Sequence, residues 1–369
     1  MSRAARAIIN LSALKHNLQQ AKNAAPSAKI LAIIKANGYG HGIRRVAKAL
    51  DRADSFGVAS VEEALAIRES GIDKPVVLLE GFFDTSELPL ILQHKLDVVV
   101  HHRFQLEALS KSLPKLSDAG IVDAKINVWL KVDTGMHRLG FAVEKAQAVW
   151  NELKSNPRIS SITVMTHLAN ADDRQDAMTD DQVQRFGQCV FGLEAPRSIA
   201  NSGGILGWPS THADIIRPGI MLYGGTPFNS GTGIDVGLKP VMTLQTQIIA
   251  INRFNKGDAI GYSGTWICPE EMCVGVAAIG YGDGYPRHAG SGTPVLVNGK
   301  RAQLVGRVSM DMICIDLRHI PDAQVGDSVT LWGEGLPVEE IARCASTISY
   351  ELFCGITQRV KFVVVKNGQ

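Results

Sequence analysis

Apolar residues fall in short unbroken blocks through the first 225 positions, and amphipathic stretches separate the blocks. ILAIIK (30–35), SFGVAS (55–60), PVVLLEG (75–81) and LDVVVHH (96–102) open the series. INVWLKVD (126–133), ISSITVMTH (159–167), RSIANSGG (197–204) and IIRPGIMLYG (215–224) complete it. Several blocks are continuously apolar and do not alternate, as in parallel strands covered on both faces. The intervening IRRVAKALDRA, VEEALAIRES and VEKAQAVWNELKS space their apolar residues three to four apart, with charges between, and predict helices. Eight strand–helix units in sequence predict an α/β fold that begins with a (β/α)8 TIM-type barrel.

After about residue 228 the pattern changes. KPVMTLQTQIIAINRF, CVGVAAIGY, TPVLVNGKRAQLVG, MICIDL and DSVTLWG read as strands with few helices between them, and NKGD and VNGK supply turns. A helical interlude from VEEIARCAS to about LFCGI precedes a last strand, VKFVVV. Two domains are therefore expected: a barrel over 10–228 and a mostly β C-terminal domain over 229–369. The early segment ARAIINL could join either.

Bulk composition changes this picture little. The 369 residues are 20% charged and 45% hydrophobic, and the net charge is +2. That balance gives no electrostatic argument for nucleic acid or an anionic membrane as a partner. No apolar run approaches the roughly 20 residues that span a bilayer. The first residues carry no signal-peptide pattern, so a cytoplasmic protein is expected. The six cysteines include no C-x-x-C pair, which argues against a zinc or redox site, and no metal is expected.

Barrel chemistry sits at the C-terminal ends of the strands. Strand one ends at Lys35, followed by Asn37 and Tyr39. Strand five ends in Lys131 and Asp133, with Arg138 beyond. Strand six ends at His167, strand seven at Asn201 and Ser202, and strand eight carries Arg217 before Pro218, Gly219 and Ile220. Singly, each has an ordinary structural reading: a solvated lysine, a hydrogen-bonded core histidine, an arginine in an ion pair. Cations clustered on one rim are harder to dismiss, because each costs desolvation free energy unless it meets an anion. Phosphate sites in such barrels use the loops after strands seven and eight. A phosphate there and a lysine on strand one suggest a phosphorylated carbonyl compound bound through the lysine, with pyridoxal phosphate the obvious candidate.

These motifs together resemble the alanine racemase family. AIIKANGYGHG resembles its cofactor-lysine motif. LKVDTGMHRLGF (130–141), VMTHLANAD (164–172), ANSGG (200–204), IRPGIMLYG (216–224), IGYSGT (260–265), IGYGDGY (279–285), GRVSMDM (306–312) and TISYELFCGITQRV (347–360) follow in the family's order. The resemblance covers essentially the whole chain. It implies pyridoxal 5'-phosphate held covalently by Lys35, with Tyr39, Ser202, Gly219, Ile220 and Tyr350 at its phosphate and Asn201 beside them. It further implies Arg217 at the pyridine nitrogen, Arg138 near the phenolic oxygen and the substrate, and His167 packed between ring and base network.

The resemblance also assigns the second base to Tyr262 and the substrate path and carboxylate site to Tyr281, Met310 and Asp311. All four would reach the cavity of a second subunit, so the implied unit is a homodimer with two shared sites. Lys131 matches a lysine that some members carbamylate, and residues 1–9 would add a strand to the β domain. The implied reaction is interconversion of L- and D-alanine by two bases, Lys35 on the D face and Tyr262 on the L face. It would feed D-alanine to peptidoglycan synthesis or open alanine catabolism. The rival readings are a broad-specificity amino-acid racemase, a barrel-type decarboxylase and a non-catalytic cofactor-binding protein. The Tyr262 motif and the β domain weigh against the last two.

Overall fold

Unbroken apolar blocks become the staves of a barrel in the computed structural model, which describes residues 3–118 and 125–365. A first strand, β1 (Arg6–Asn10), precedes the barrel. The barrel strands are β2 (Lys29–Ile33), β3 (Ser55–Val58), β4 (Val76–Leu78), β5 (Leu96–Val100) and β6 (Ile126–Asp133), followed by β8 (Ile159–Met165), β9 (Arg197–Ser198) and β10 (Ile215–Ile216). A two-residue β7 (Phe141–Ala142) pairs with the end of β6. The order β10-β2-β3-β4-β5-β6-β8-β9 is parallel throughout. Between β9 and β10 the ring closes by other bonds: Ser198 Oγ donates to Ile215 O at 2.7 Å, and Arg217 N to Ala200 O at 3.0 Å. Every residue of β5 is buried, as a strand with helices outside and side chains inside requires.

Three stretches expected as strands are cut short, each for a local reason. The block 197–204 pairs over only two residues, because Asn201 caps a short helix, Ser202–Gly207, by accepting from Gly204 N at 3.0 Å. The block 215–224 likewise ends after Ile216, and a 3-10 turn, Ile220–Tyr223, follows and closes on Gly224 at φ 88°. β2 stops at Ile33, before Lys35. Ala36, Asn37, Gly38 and Tyr39 all have positive φ, from 49° to 64°, so the chain makes a left-handed turn there. Three of these four successive residues are not glycine, and at positive φ they form a strained segment, of the kind that needs surrounding contacts to hold it. Glu63 supplies one: its carboxylate accepts from Asn37 N at 3.1 Å and Ala59 N at 2.9 Å.

The second sheet contains β11 (Met242–Phe254), β14 (Met272–Ala277), β15 (Pro294–Val297), β16 (Lys300–Val305), β17 (Ile313–Asp316), β18 (Ser328–Trp332) and β19 (Lys361–Val365). A small hairpin, β12 (Ala259–Ile260) with β13 (Trp266–Ile267), stands apart from it. The turn Asn298-Gly299 joins β15 to β16 with φ of 48° and 78°, the geometry of a tight hairpin. The long β11 shifts register along its length and pairs with both β18 and β14, so six strands close on themselves. β1 lies beside β11, antiparallel, and beside β19, parallel. Among the described residues no helix is long and apolar enough to cross a membrane.

Candidate active site

Lys35, Tyr39, Lys131, Arg138, His167, Asn201, Ser202, Arg217, Gly219, Ile220 and Tyr350 share one cavity of about 520 Å³ at the C-terminal ends of the barrel strands. Ten of these eleven come from the barrel. Tyr350 comes from the helix Ser349–Cys354 of the β domain, which closes over the barrel mouth. The cavity wall also holds Glu80, Leu79, Ile33, Leu139 and Met165, none of them singled out from sequence. Glu80 had a signal, since it is the polar end of PVVLLEG on the same rim.

Charge dominates the cavity. Lys35, Lys131, Arg138 and Arg217 face it, and Glu80 is the one carboxylate in its lining. Arg217 is 3% exposed and meets no carboxylate among the described residues. Its guanidinium donates to Ser198 Oγ at 2.6 Å, Thr166 O at 2.6 Å and Ile199 O at 3.0 Å. Those neutral acceptors fix its plane without cancelling its charge. Burial lowers its pKa to about 10, so it remains a cation at neutral pH.

Lys131 is 7% exposed, and burial first, then Arg217, Arg138 and Lys35, lower it to about 8. The His167 ring is held well below its ordinary value by burial and then by the same cations. Gln182, buried on the helix Met178–Cys189, fixes the histidine's backbone by donating to His167 O at 3.0 Å and accepting from Ala169 N at 2.8 Å.

At the other end of the cavity Ser202 Oγ accepts from Gly219 N at 2.9 Å and Met221 N at 3.4 Å. A Cβ on Gly219 would stand 2.7 Å from Tyr39 Oη, so the absent side chain leaves a cradle that the tyrosine hydroxyl enters. The Tyr39 ring stacks on Tyr223 at 4.6 Å between centroids and lies 5.8 Å from Tyr350. Burial pushes Tyr39 well above its ordinary pKa and Tyr350 up to about 12, so both keep their protons. Asn201 lines the cavity, but its Oδ1 caps the Ser202–Gly207 helix and its Nδ2 donates to Leu168 O at 3.3 Å. Its polar groups serve the wall.

Surplus positive charge, a lysine on a strained turn and a small hydroxyl-lined cradle fit a phosphorylated carbonyl cofactor. The charge matches phosphate and carboxylate groups, and the cradle is open where a side chain would block it.

Tyr262, Tyr281, Met310 and Asp311 do not line this cavity. Tyr262 lies 67% exposed on a turn between β12 and β13, with Gly261 at φ 75° and Ser263 at φ 61°. Tyr281 and Met310 are 40% and 52% exposed on two adjoining turns, where Tyr281 N donates to Ser309 O at 3.0 Å and Gly282 N to Met310 O at 2.9 Å. Asp311 pairs with Arg359.

The family described as "Alanine racemase, N-terminal domain" matches residues 9–227, and that described as "Alanine racemase, C-terminal domain" matches 241–364. Alanine racemase of Nitrosococcus oceani is 52% identical over 358 residues, covering 96% of this chain and 97% of that protein. The crystal structure of the biosynthetic alanine racemase of Pseudomonas aeruginosa superposes with a TM-score of 0.93 at 44% identity, over 98% of this chain and 99% of that one. The Bartonella henselae alanine racemase, solved with covalently bound pyridoxal phosphate, superposes with a TM-score of 0.88 at 27% identity, over 98% of this chain and 99% of that one.

Proposed function

The chain belongs to the alanine racemase family, and on that premise we propose that it interconverts L- and D-alanine in the cytoplasm with pyridoxal 5'-phosphate as cofactor. The observation that carries the reading is Lys35, set on a strained turn and facing a cavity that also holds Arg217, buried and with no carboxylate partner among the described residues. Lys35 would bind the cofactor covalently. Tyr39, Ser202, Gly219, Ile220 and Tyr350 would hold its phosphate, Arg217 would face its pyridine nitrogen, and Arg138 would hold its phenolic oxygen and the substrate carboxylate. The bound cofactor withdraws electrons from Cα of alanine and makes that proton removable.

The protein's own part is proton handling. Racemisation removes the Cα proton on one face and returns a proton on the other. Lys35 Nζ serves the D face. Tyr262 Oη of a second copy serves the L face, because in its own chain Tyr262 stands on the surface away from the cavity. After one turnover the two bases have exchanged protonation states, so a proton must pass back between them or to solvent. Arg217 can only donate, having no acceptor atom, and would leave a pyridine nitrogen unprotonated. Tyr281, Met310 and Asp311 of the second copy would form the substrate path, which makes the active unit a homodimer.

The test is direct. The purified protein should carry a visible cofactor band and convert L-alanine to a mixture of D and L forms by chiral product analysis. A colourless protein that leaves L-alanine unchanged would overturn the reading, and carbon dioxide release from lysine or diaminopimelate would replace it with a decarboxylase.

A further inference from the structure

Behind the turn that carries Tyr281 lies a charge network in which Asp283, Arg3 and Arg359 have no part in any step above. Asp283 is fully buried. Its carboxylate accepts from Arg3 Nη2 at 2.7 Å and Gly280 N at 3.0 Å, and stands 3.3 Å from Arg359 Nε. Arg359 also pairs with Asp311, while Arg3 reaches Asp311 O at 3.0 Å and its carboxylate at 3.6 Å. Gly282 has no side chain between the turn and this arginine: a Cβ there would lie 2.3 Å from Arg359 Nη1 and 3.0 Å from Met310 O. The guanidinium therefore lies close against the turn. Thr357 ties the same turn again, donating from N to Asp283 O at 3.2 Å and from Oγ1 to Gly282 O at 3.0 Å.

Arg359 stands nine residues beyond Tyr350, on the segment that leaves the helix Ser349–Cys354. One chain thus joins the helix over its own cavity to two turns that do not line that cavity. The turn at 280–284 holds three glycines, a composition that costs backbone entropy to order. A buried carboxylate that lost either arginine would be left undercompensated, so the network has strong reason to keep one geometry.

We propose that Asp283 and Arg359 are positioning residues that hold the turns bearing Tyr281, Met310 and Asp311 in the shape a second copy's cavity receives. The inference rests on the reading that those turns serve the second copy. Their effect should therefore appear at the partner's site and not at the site of the chain that carries them.

Two tagged mixed dimers, each with one working cavity, separate these cases. In the first, a Lys35→Ala chain is paired with an Arg359→Gln chain, so the working cavity receives intact turns. In the second, a Lys35→Ala, Arg359→Gln double variant is paired with the parental chain, so the working cavity receives unbraced turns. The first should show the parental KM for L-alanine, and the second a KM about tenfold higher with kcat within about threefold. Arg359→Lys, which keeps a charge against Asp283, should restore part of the difference. Equal KM in the two arrangements, or a rise in the first alone, would overturn the proposal. If Arg359→Gln does not assemble, Arg359→Lys is read in the same arrangements, and failure of both to assemble would make the network a folding element only. A parental dimer that does not racemise alanine would defeat the functional reading instead, and the two failures are distinguishable.

Discussion

Arg217 Nη2 lies 3.4 Å from Nδ1 of His167. Both Nη2 hydrogens go to Thr166 O at 2.6 Å and Ile199 O at 3.0 Å, and a guanidinium has no acceptor atom, so a hydrogen on Nδ1 would point at a cation; the neutral ring is favoured with its proton on Nε2. Burial and four neighbouring cations hold this ring well below the usual histidine pKa. Nitrogen NMR of the selectively labelled protein should show one neutral tautomer, protonated at Nε2, at about pH 7 and still at about pH 5.5. A doubly protonated ring at the lower pH would contradict the arrangement.

His41 makes a separate prediction about stability. It is fully buried against Tyr223 and Phe353, its Nδ1 bonds to Tyr39 O at 2.7 Å, and its Nε2 has no hydrogen-bond partner among the described residues. Burial lowers its pKa from 6.5 to about 4. Because the folded value is depressed, the unfolded chain takes up the proton first as pH falls. The stabilisation is complete above pH 6.5 and is lost as pH drops from there towards about 4. At about pH 5 the loss is on the order of 2 kcal/mol. His41→Gln should flatten that part of the acid decline in Tm, and an unchanged slope would refute the assignment.

The cradle at Gly219 predicts a steric effect on cofactor binding. In Gly219→Ala the methyl group would lie 2.7 Å from Tyr39 Oη and push the hydroxyl aside. Losing a hydrogen bond to a charged phosphate costs about 1.5–3 kcal/mol, so the cofactor Kd should rise about 10- to 100-fold by equilibrium titration of the cofactor-free protein. Combined with Tyr39→Phe, the second substitution should add little. Full additivity of the two would show that the methyl group acts elsewhere.

Lys131 has an amine lowered to about 8 in a cavity of cations, so a usable fraction is neutral near neutral pH. A neutral buried amine can react with carbon dioxide, and the resulting carbamate would answer the positive charge of Arg138. Carbon-13 NMR with labelled bicarbonate should reveal one carbamate signal that Lys131→Gln removes. A signal unaffected by that substitution would place the modification elsewhere.

The proposal that two copies share their sites predicts complementation. Lys35→Ala and Tyr262→Phe homodimers should each be nearly inactive, while their mixed dimer should recover about half the parental turnover, from the one cavity with both bases intact. A mixed dimer as inactive as its parents would place both bases in one chain.

The barrel was legible because its strands are buried on both faces, which leaves continuous apolar blocks such as ILAII (30–34). The ends of β9 and β10 were not, because Asn201 and Gly219 redirect the chain through hydrogen bonds that apolar periodicity does not register. Lys35 stood out by its place after a strand, yet its left-handed turn is set partly by Glu63, a residue 28 positions on. The grouping of the cavity residues followed from strand ends. Glu80 was overlooked on the same rim. Asp311 was named through its motif, but its pairing with Arg3 and Arg359, and theirs with Asp283, offered no pattern, since it depends on segments brought together from opposite ends of the sequence.

That last circumstance reaches into how the protein is made. β1 pairs with β19, with Arg6 opposite Lys361, and the whole barrel lies between them in the chain. The barrel strands can find one another as synthesis proceeds, but β1 must wait, with one edge unpaired, until β19 has left the ribosome. The β domain is thus begun before the barrel and finished after it. A chaperone or a premature stop acting late in translation would meet a completed barrel beside an open sheet.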